Sequence, residues 1–226
     1  DHVDEPQTLI EASLFAQKRL ISGYKGYAKT NVEKLREAEE PNQVAISLSG
    51  EPTLYPYLDE LIALYRRHQM TTFVVSNGSV PAMLERIRPT QVYLSLNSPD
   101  EARYYSVCKP RSHRFEQLLE SLRVLAGHPA RTAIRVTLAR ELNAIEPASY
   151  ARLIEQAEPD YVEIKSYMHL GYSRRRLPRT AMLSYDEIEM FARQIAEHLG
   201  YVIAGSSQAS RVVILSKNGS VKKIAR

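Results

Sequence analysis

Ala45-Ile46-Ser47-Leu48-Ser49-Gly50-Glu51-Pro52-Thr53-Leu54-Tyr55-Pro56 is the stretch that decides the fold of this chain. A short apolar run leads straight into a Gly-Glu-Pro turn, and a helical pattern follows. That layout sets the Glu51 carboxylate at the carboxyl end of a buried strand, where α/β sheets and barrels hold their ligands. Gly50 lacks the side chain that would keep a ligand off the backbone. Pro52 stiffens the exit from the turn.

Outward from this stretch the same alternation recurs. Apolar runs short enough to be buried parallel strands lie at 43–48, 71–75, 91–96, 132–138 and 160–165. Helical patterns separate them at 56–68, 80–87, 99–107 with 114–126, and 147–157. Before the first strand, residues 6–22 read as a helix whose apolar face is Leu9, Ala12, Leu14, Ala16, Leu20 and Ile21. A shorter helix over 29–38 is capped by Thr30 or Asn31. A basic loop, a helix at 184–199 and strands at 201–204 and 211–215 close the chain. Strands alternating with helices predict parallel βαβ units in one α/β domain over residues 1–226.

Periodicity alone does not separate an open doubly wound sheet from a partial barrel. The strand ends bear on it: Ser49-Gly50-Glu51, Ser76-Asn77-Gly78, Ser95 with Asn97, Thr137, and Lys165 with Tyr167. Any one of these is ordinary turn chemistry. Together they make the ligand face of a barrel or half-barrel. Arg135 and Thr137 alternate on their strand, which predicts that only one of them points inward. Arg135, costly to bury alone, would meet either a ligand carboxylate or Glu163, and the ligand is slightly favoured.

The chain is 44% hydrophobic and 25% charged, the composition of a soluble globular protein. Its apolar runs fall far short of the ~20 residues of a membrane helix, and its acidic start, Asp1-His2-Val3-Asp4-Glu5, is no signal peptide. A cytoplasmic protein is expected. The single cysteine, Cys108, excludes an internal disulfide framework and a self-contained cysteine metal site. The net charge of +4 is concentrated in Arg174-Arg175-Arg176-Leu177-Pro178-Arg179, with further groups at Lys109, Arg111, His113 and Arg114 and in a tail with Lys217, Lys222, Lys223 and Arg226. Each group reads either as a solvated surface or as a site for an anion, and arginines packed this closely repel one another unless an anion is expected.

The motif Ser49-Gly50-Glu51 resembles the S-adenosylmethionine-binding strand of radical SAM enzymes, and Leu48–Pro56 resembles the wybutosine-pathway branch that modifies tRNA. The resemblance continues through Thr72–Gly78 with Pro81, Pro89–Leu96 with Cys108-Lys109-Pro110, Arg131–Leu138 with Asn143, Glu163–Arg174, and Ser210–Leu215. It therefore covers residues 43 to 215. It implies a radical SAM-type partial (β/α)6 barrel whose first strand is not in this segment. It implies the chemistry of the 4-demethylwyosine synthases. There a deoxyadenosyl radical abstracts hydrogen from the methyl of N1-methylguanosine-37 of tRNA(Phe), two carbons of pyruvate close a third ring, and formate leaves.

The cofactors so implied are S-adenosylmethionine and [4Fe–4S] clusters. The family's cysteine triplet is absent here, so its cluster ligands are expected upstream of Asp1, and the segment by itself is expected to be inactive. The cofactor-binding residues implied are Gly50, Glu51, Ser76, Asn77, Ser95, Asn97, Arg135 and Thr137. Lys165 is the candidate for a Schiff base with pyruvate, a surface or phosphate-contact role remaining open. Tyr167, Tyr172, Arg174, Arg175, Arg176 and Arg179 suit the anticodon region of tRNA, since aromatics stack on splayed bases and arginines meet phosphates. A different radical SAM substrate, a Schiff-base (β/α) lyase without S-adenosylmethionine, and a non-catalytic RNA-binding module are the competing readings.

Overall fold

The computed structural model describes residues 3–47 and 50–224; Leu48 and Ser49 of the opening motif, and Arg226 of the basic tail, lie outside them. In chain order the elements are α1 (Pro6–Ser22), α2 (Val32–Glu39), β1 (Gln43–Ile46), α3 (Leu58–Arg67), β2 (Thr71–Ser76), α4 (Pro81–Arg86), β3 (Gln91–Ser95), α5 (Glu101–Cys108), α6 (Phe115–Ala126), β4 (Arg131–Leu138), α7 (Pro147–Glu155), β5 (Tyr161–Ser166), α8 (Tyr185–Leu199), β6 (Val202–Ser207) and β7 (Val212–Ser216). Short 3-10 turns occupy Pro52–Leu54, Gly171–Arg175 and Arg179–Ala181.

Local chemistry accounts for the boundaries. Proline opens α1, α4 and α7, where its missing N–H has no intrahelical partner to lose. The Asn31 side chain accepts from the Lys34 N–H and starts α2. A capping box between Ser184 and Glu187 starts α8, and Gly200 at φ 68° stops it.

The strands form one mixed sheet in the order β1-β2-β3-β4-β5-β7-β6. β1 to β5 are parallel, β7 runs antiparallel to β5, and β6 antiparallel to β7. This is the expected α/β partial barrel, ended by a hairpin. Alternation along the strands sorts the residues to two faces. Val74, Val92, Leu94, Ile134, Val136, Val162, Ile164, Val213 and Leu215 join Ile62, Leu84, Leu118, Leu122, Ile154, Ile188 and Ile195 of the helices in one buried core. The opposite face carries Val75, Tyr93, Ser95, Arg135, Thr137, Glu163 and Lys165. These are half-buried, and none belongs to that core.

The apolar face expected of α1 is only partly used. Pro6 and Ile10 are buried, Ile10 beside Leu61, Tyr65 and Met70, with Leu9 and Leu14 at the margin. Leu20 is 76% exposed and Phe15 67%. α3 packs against one flank of α1 and α2 against another, where Gln17 donates to the Ala38 carbonyl, and neither covers Phe15 or Leu20. No described helix is long and apolar enough to cross a membrane.

Candidate functional site

The carboxyl ends of β1 to β5 lie side by side, and the residues singled out there fall into hydrogen-bonded groups. At β1 and β2, Glu51 caps the turn Pro52–Leu54. Its Oε1 accepts from the Thr53 N–H at 3.1 Å, the Thr53 hydroxyl at 2.6 Å and the Ser76 hydroxyl at 2.8 Å. Its Oε2 accepts from the Asn77 N–H at 2.7 Å. A carboxylate offers about two lone-pair sites on each oxygen; Oε1 is crowded by three donors, while Oε2, with one among the described residues, keeps room for another. Gly50 adopts φ +81°, and a Cβ there would meet nothing within 4 Å among the described residues, so on their side the backbone beside Glu51 is open.

Ser76 is placed differently from its expected part as a direct ligand contact. It follows Thr72 and Val74 on the helix side of β2, is 1% exposed, and spends its hydroxyl on Glu51 and the Gly78 N–H. Its place is behind Glu51. Asn77 is exposed at the opening, its side chain held by the Ser79 N–H.

At β3 and β4, the Asn97 side chain accepts from the Thr137 N–H at 3.0 Å. What holds this pair is a residue that the resemblance includes without a role. Asn143, 2% exposed, donates to the carbonyls of Asn97 and Thr137 at 2.8 and 2.9 Å and accepts from the Ala139 N–H at 2.7 Å. Thr53 likewise stands in the motif without a role. Its signal is a hydroxyl two residues after an acidic cap, a spacing that returns the side chain to the turn. Asn143 has no comparable local signal, because its partners lie on two strands.

Arg135 and Thr137 correct an expectation. Residues two apart on a strand share a face, and both sit on the open side of β4. Of the partners weighed for Arg135, the structure shows Glu163: Nε donates to Oε1 at 2.7 Å and Nη2 to Oε2 at 3.2 Å. The guanidinium also lies over the Tyr93 ring at 4.3 Å. Burial, and next the Glu163 charge, raise the Tyr93 phenol above its ordinary range. Ser95 is in register with Arg135, and Lys165 with Thr137. Lys165 is half-buried.

At β5, the Tyr167 hydroxyl donates to the Ser173 carbonyl at 2.8 Å, lies 3.1 Å from the Leu177 carbonyl and 3.2 Å from His169 Nδ1. Tyr167 thus ties the following loop down, while Tyr172 stands 79% exposed with the Arg175 guanidinium 5.2 Å from its ring centre. Arg174, Arg175, Arg176 and Arg179 are exposed, with no carboxylate partner among the described residues. Tyr172 is therefore the exposed ring of this loop, and Tyr167 its anchor.

The donor set does not fit an iron–sulfur cluster. Cys108 is the chain's one cysteine, exposed at the end of α5, and no group of His, Cys, Asp and Glu among the described residues could hold a metal ion. It does fit an ammonium-bearing ligand at Glu51 Oε2 beside the open Gly50 backbone.

Comparison with known proteins gives this geometry a context. The radical SAM superfamily matches residues 19–154, and the family of wyosine base formation matches residues 156–217. The S-adenosyl-L-methionine-dependent tRNA 4-demethylwyosine synthase of Methanocaldococcus jannaschii is 43% identical over 213 residues, which cover 94% of this chain and 68% of that protein. Its counterpart in Pyrococcus abyssi is 41% identical over 222 residues, covering 95% of this chain and 65% of that protein. The chain thus spans about two thirds of the length of these relatives. A solved structure of TYW1 with a lysine–pyruvate adduct bound matches with a TM-score of 0.89 at 41% identity, covering 96% of this chain and 72% of that one.

Proposed function

Because the chain belongs to the S-adenosyl-L-methionine-dependent tRNA 4-demethylwyosine synthases of the radical SAM superfamily, we propose that it performs the family's reaction. N1-methylguanosine-37 of tRNA(Phe) and pyruvate become 4-demethylwyosine, in the cytoplasm, on one radical SAM core domain. Membership implies S-adenosylmethionine and a [4Fe–4S] cluster. With one cysteine here, the cluster's thiolates would come from polypeptide outside these 226 residues. S-adenosylmethionine, when bound, supplies the means of abstracting hydrogen from the N-methyl group.

The chain's own residues do the rest. Glu51 accepts the methionine ammonium at Oε2, a charge-assisted contact, and Gly50 admits the ligand to the backbone. Asn77, Ser95, Asn97 and Thr137 line the neighbouring strand ends. Lys165, the one lysine within a described strand, forms the Schiff base with pyruvate. The lysine–pyruvate adduct in the TYW1 structure supports a lysine in this role. Tyr172 stacks on a splayed anticodon base, and Arg174, Arg175, Arg176 and Arg179 meet the phosphates beside it.

The observation that carries this reading is the fixed Glu51 carboxylate, held by four donors with one acceptor site open beside a bare glycine backbone. Calorimetry of S-adenosylmethionine binding to the anaerobically reconstituted enzyme tests it. Glu51→Gln, with its circular dichroism spectrum retained, weakens affinity about 10- to 100-fold, the size of a lost charged hydrogen bond. Unchanged affinity would remove Glu51 from the cofactor site.

A further inference from the structure

Lys165 has no hydrogen bond or ion pair among the described residues, and this needs a cause. Glu163 lies two residues earlier on the same open face of β5, roughly 6.6 Å along the strand, within reach of a long side chain. Left to themselves the two would pair. The groups in register around Lys165 are Thr137 on β4 and Val212 on β7, with Arg135 and Ile214 in the row of Glu163. Glu163 is the one anion in these two rows, and Arg135 holds both of its oxygens.

We infer that Arg135 is a positioning residue that sequesters Glu163 and so leaves the Lys165 amine unpaired for carbonyl chemistry. This deepens, and rests on, the reading of Lys165 above. A planar guanidinium matches a carboxylate with two parallel N–H bonds, whereas an ammonium binds it as a point charge. Arg135 is itself braced on the Tyr93 ring. The side chains of Arg135 and Glu163 are 26% and 14% exposed, so water does little to loosen them. The fork therefore wins Glu163 from the lysine.

The consequence is chemical. In Schiff-base formation the amine nitrogen bonds to the pyruvate ketone carbon, the carbon–oxygen bond breaks, and the oxygen leaves as water with the two amine protons. Only the free amine begins this step. A carboxylate at contact distance holds a lysine in an ion pair, so a Glu163 released from Arg135 would occupy Lys165 and silence it.

The test compares Arg135→Met, Glu163→Gln and the double variant in the reconstituted enzyme. One readout is the rate of Lys165 acetylation by limiting acetic anhydride, followed by peptide mass spectrometry. The other is borohydride trapping of pyruvate on Lys165. Arg135→Met slows acetylation about tenfold, the effect of a carboxylate within ~4–6 Å. Glu163→Gln labels at least as fast as the parent, and the double variant regains the parent rate. If Arg135→Met fails to fold, Arg135→Lys, which cannot fork both oxygens, slows labelling less and is relieved by the same second change. Parent-rate labelling in the Arg135 variants, or a double variant as slow as the single, overturns the inference. If acetylation follows the expected pattern but borohydride traps no pyruvate on Lys165 in any variant, the sequestration stands and the Schiff-base reading of Lys165 falls.

Discussion

Gly50 and Gly78 both hold positive φ at neighbouring strand ends, +81° and +78°, yet for different reasons. A Cβ on Gly50 would enter open space. One on Gly78 would lie 2.9 Å from Leu94 Cδ1, 3.0 Å from Leu118 Cδ1 and 3.3 Å from Ser121 Cβ. Gly78 also gives its N–H to Ser76, which holds Glu51. Gly78→Ala therefore adds core overpacking to backbone strain and lowers stability by about 2–4 kcal/mol in a denaturant titration. Gly50→Ala pays the strain alone, about 1–2 kcal/mol. Equal losses for the two would show that contact with Leu94 and Leu118 is irrelevant. At this scale the sequence reveals which residues stand at the strand ends, because turn chemistry and strand length are local. It narrows partners without choosing among them: a ligand carboxylate and Glu163 both stand open for Arg135, and the pairing of β4 with β5, strands distant in sequence, puts Glu163 beside it.

Elements were the most legible level, since each helix and strand carries its own period and punctuation. The helix read over 184–199 runs Tyr185–Leu199, and the strand read over 160–165 runs Tyr161–Ser166. What periodicity misses is how much of a helix face finds a neighbour, as the exposed Leu20 on the expected face of α1 shows. It also misses ties between elements. Glu187 accepts from Arg140, just beyond β4, with the Nη2–Oε2 bond at 2.7 Å, while completing the cap of α8 with Ser184. The Arg140 hydrogen bond, then the Ser184 N–H, pull the Glu187 carboxyl down to about 2. A depressed carboxyl stabilises the fold above its unfolded value of about 4.3, and that contribution is lost as pH falls through 2. The melting temperature of the parent should exceed that of Glu187→Gln at pH 6, and the gap should close between pH 4.3 and 2. Both partners are partly exposed, so the gap is small and shrinks with salt. A gap that persists at pH 2 would mean that the Glu187 charge is not what joins α8 to β4.

Across the whole molecule, the Gly171–Arg175 turn and its neighbours put positive charge on the rim above a sheet face whose own charges are largely paired. Arginines on such a rim would displace the cations condensed on an RNA backbone, so binding there depends on salt. The triple change Arg174→Ala, Arg175→Ala, Arg176→Ala should weaken tRNA binding and flatten its salt dependence by roughly one logarithmic unit per lost contact. S-adenosylmethionine affinity should stay as it was, because Glu51 stands on the far strand ends. Filter binding across a salt series decides it, and a parent-like slope would make the loop a solvated turn. The two-sided strands beneath carry a consequence of their own. Tyr161–Ser166 sends Val162 and Ile164 one way and Glu163 and Lys165 the other. Losing one residue inside it would exchange the sets, sinking two charges among the aliphatics and lifting two aliphatics to the cleft. The exposed loop that follows has no such phase to keep. A change of length there leaves the sheet's two faces as they are, whereas one inside the strand exchanges them, so the arginine-bearing rim can vary in length while the phase of the sheet cannot.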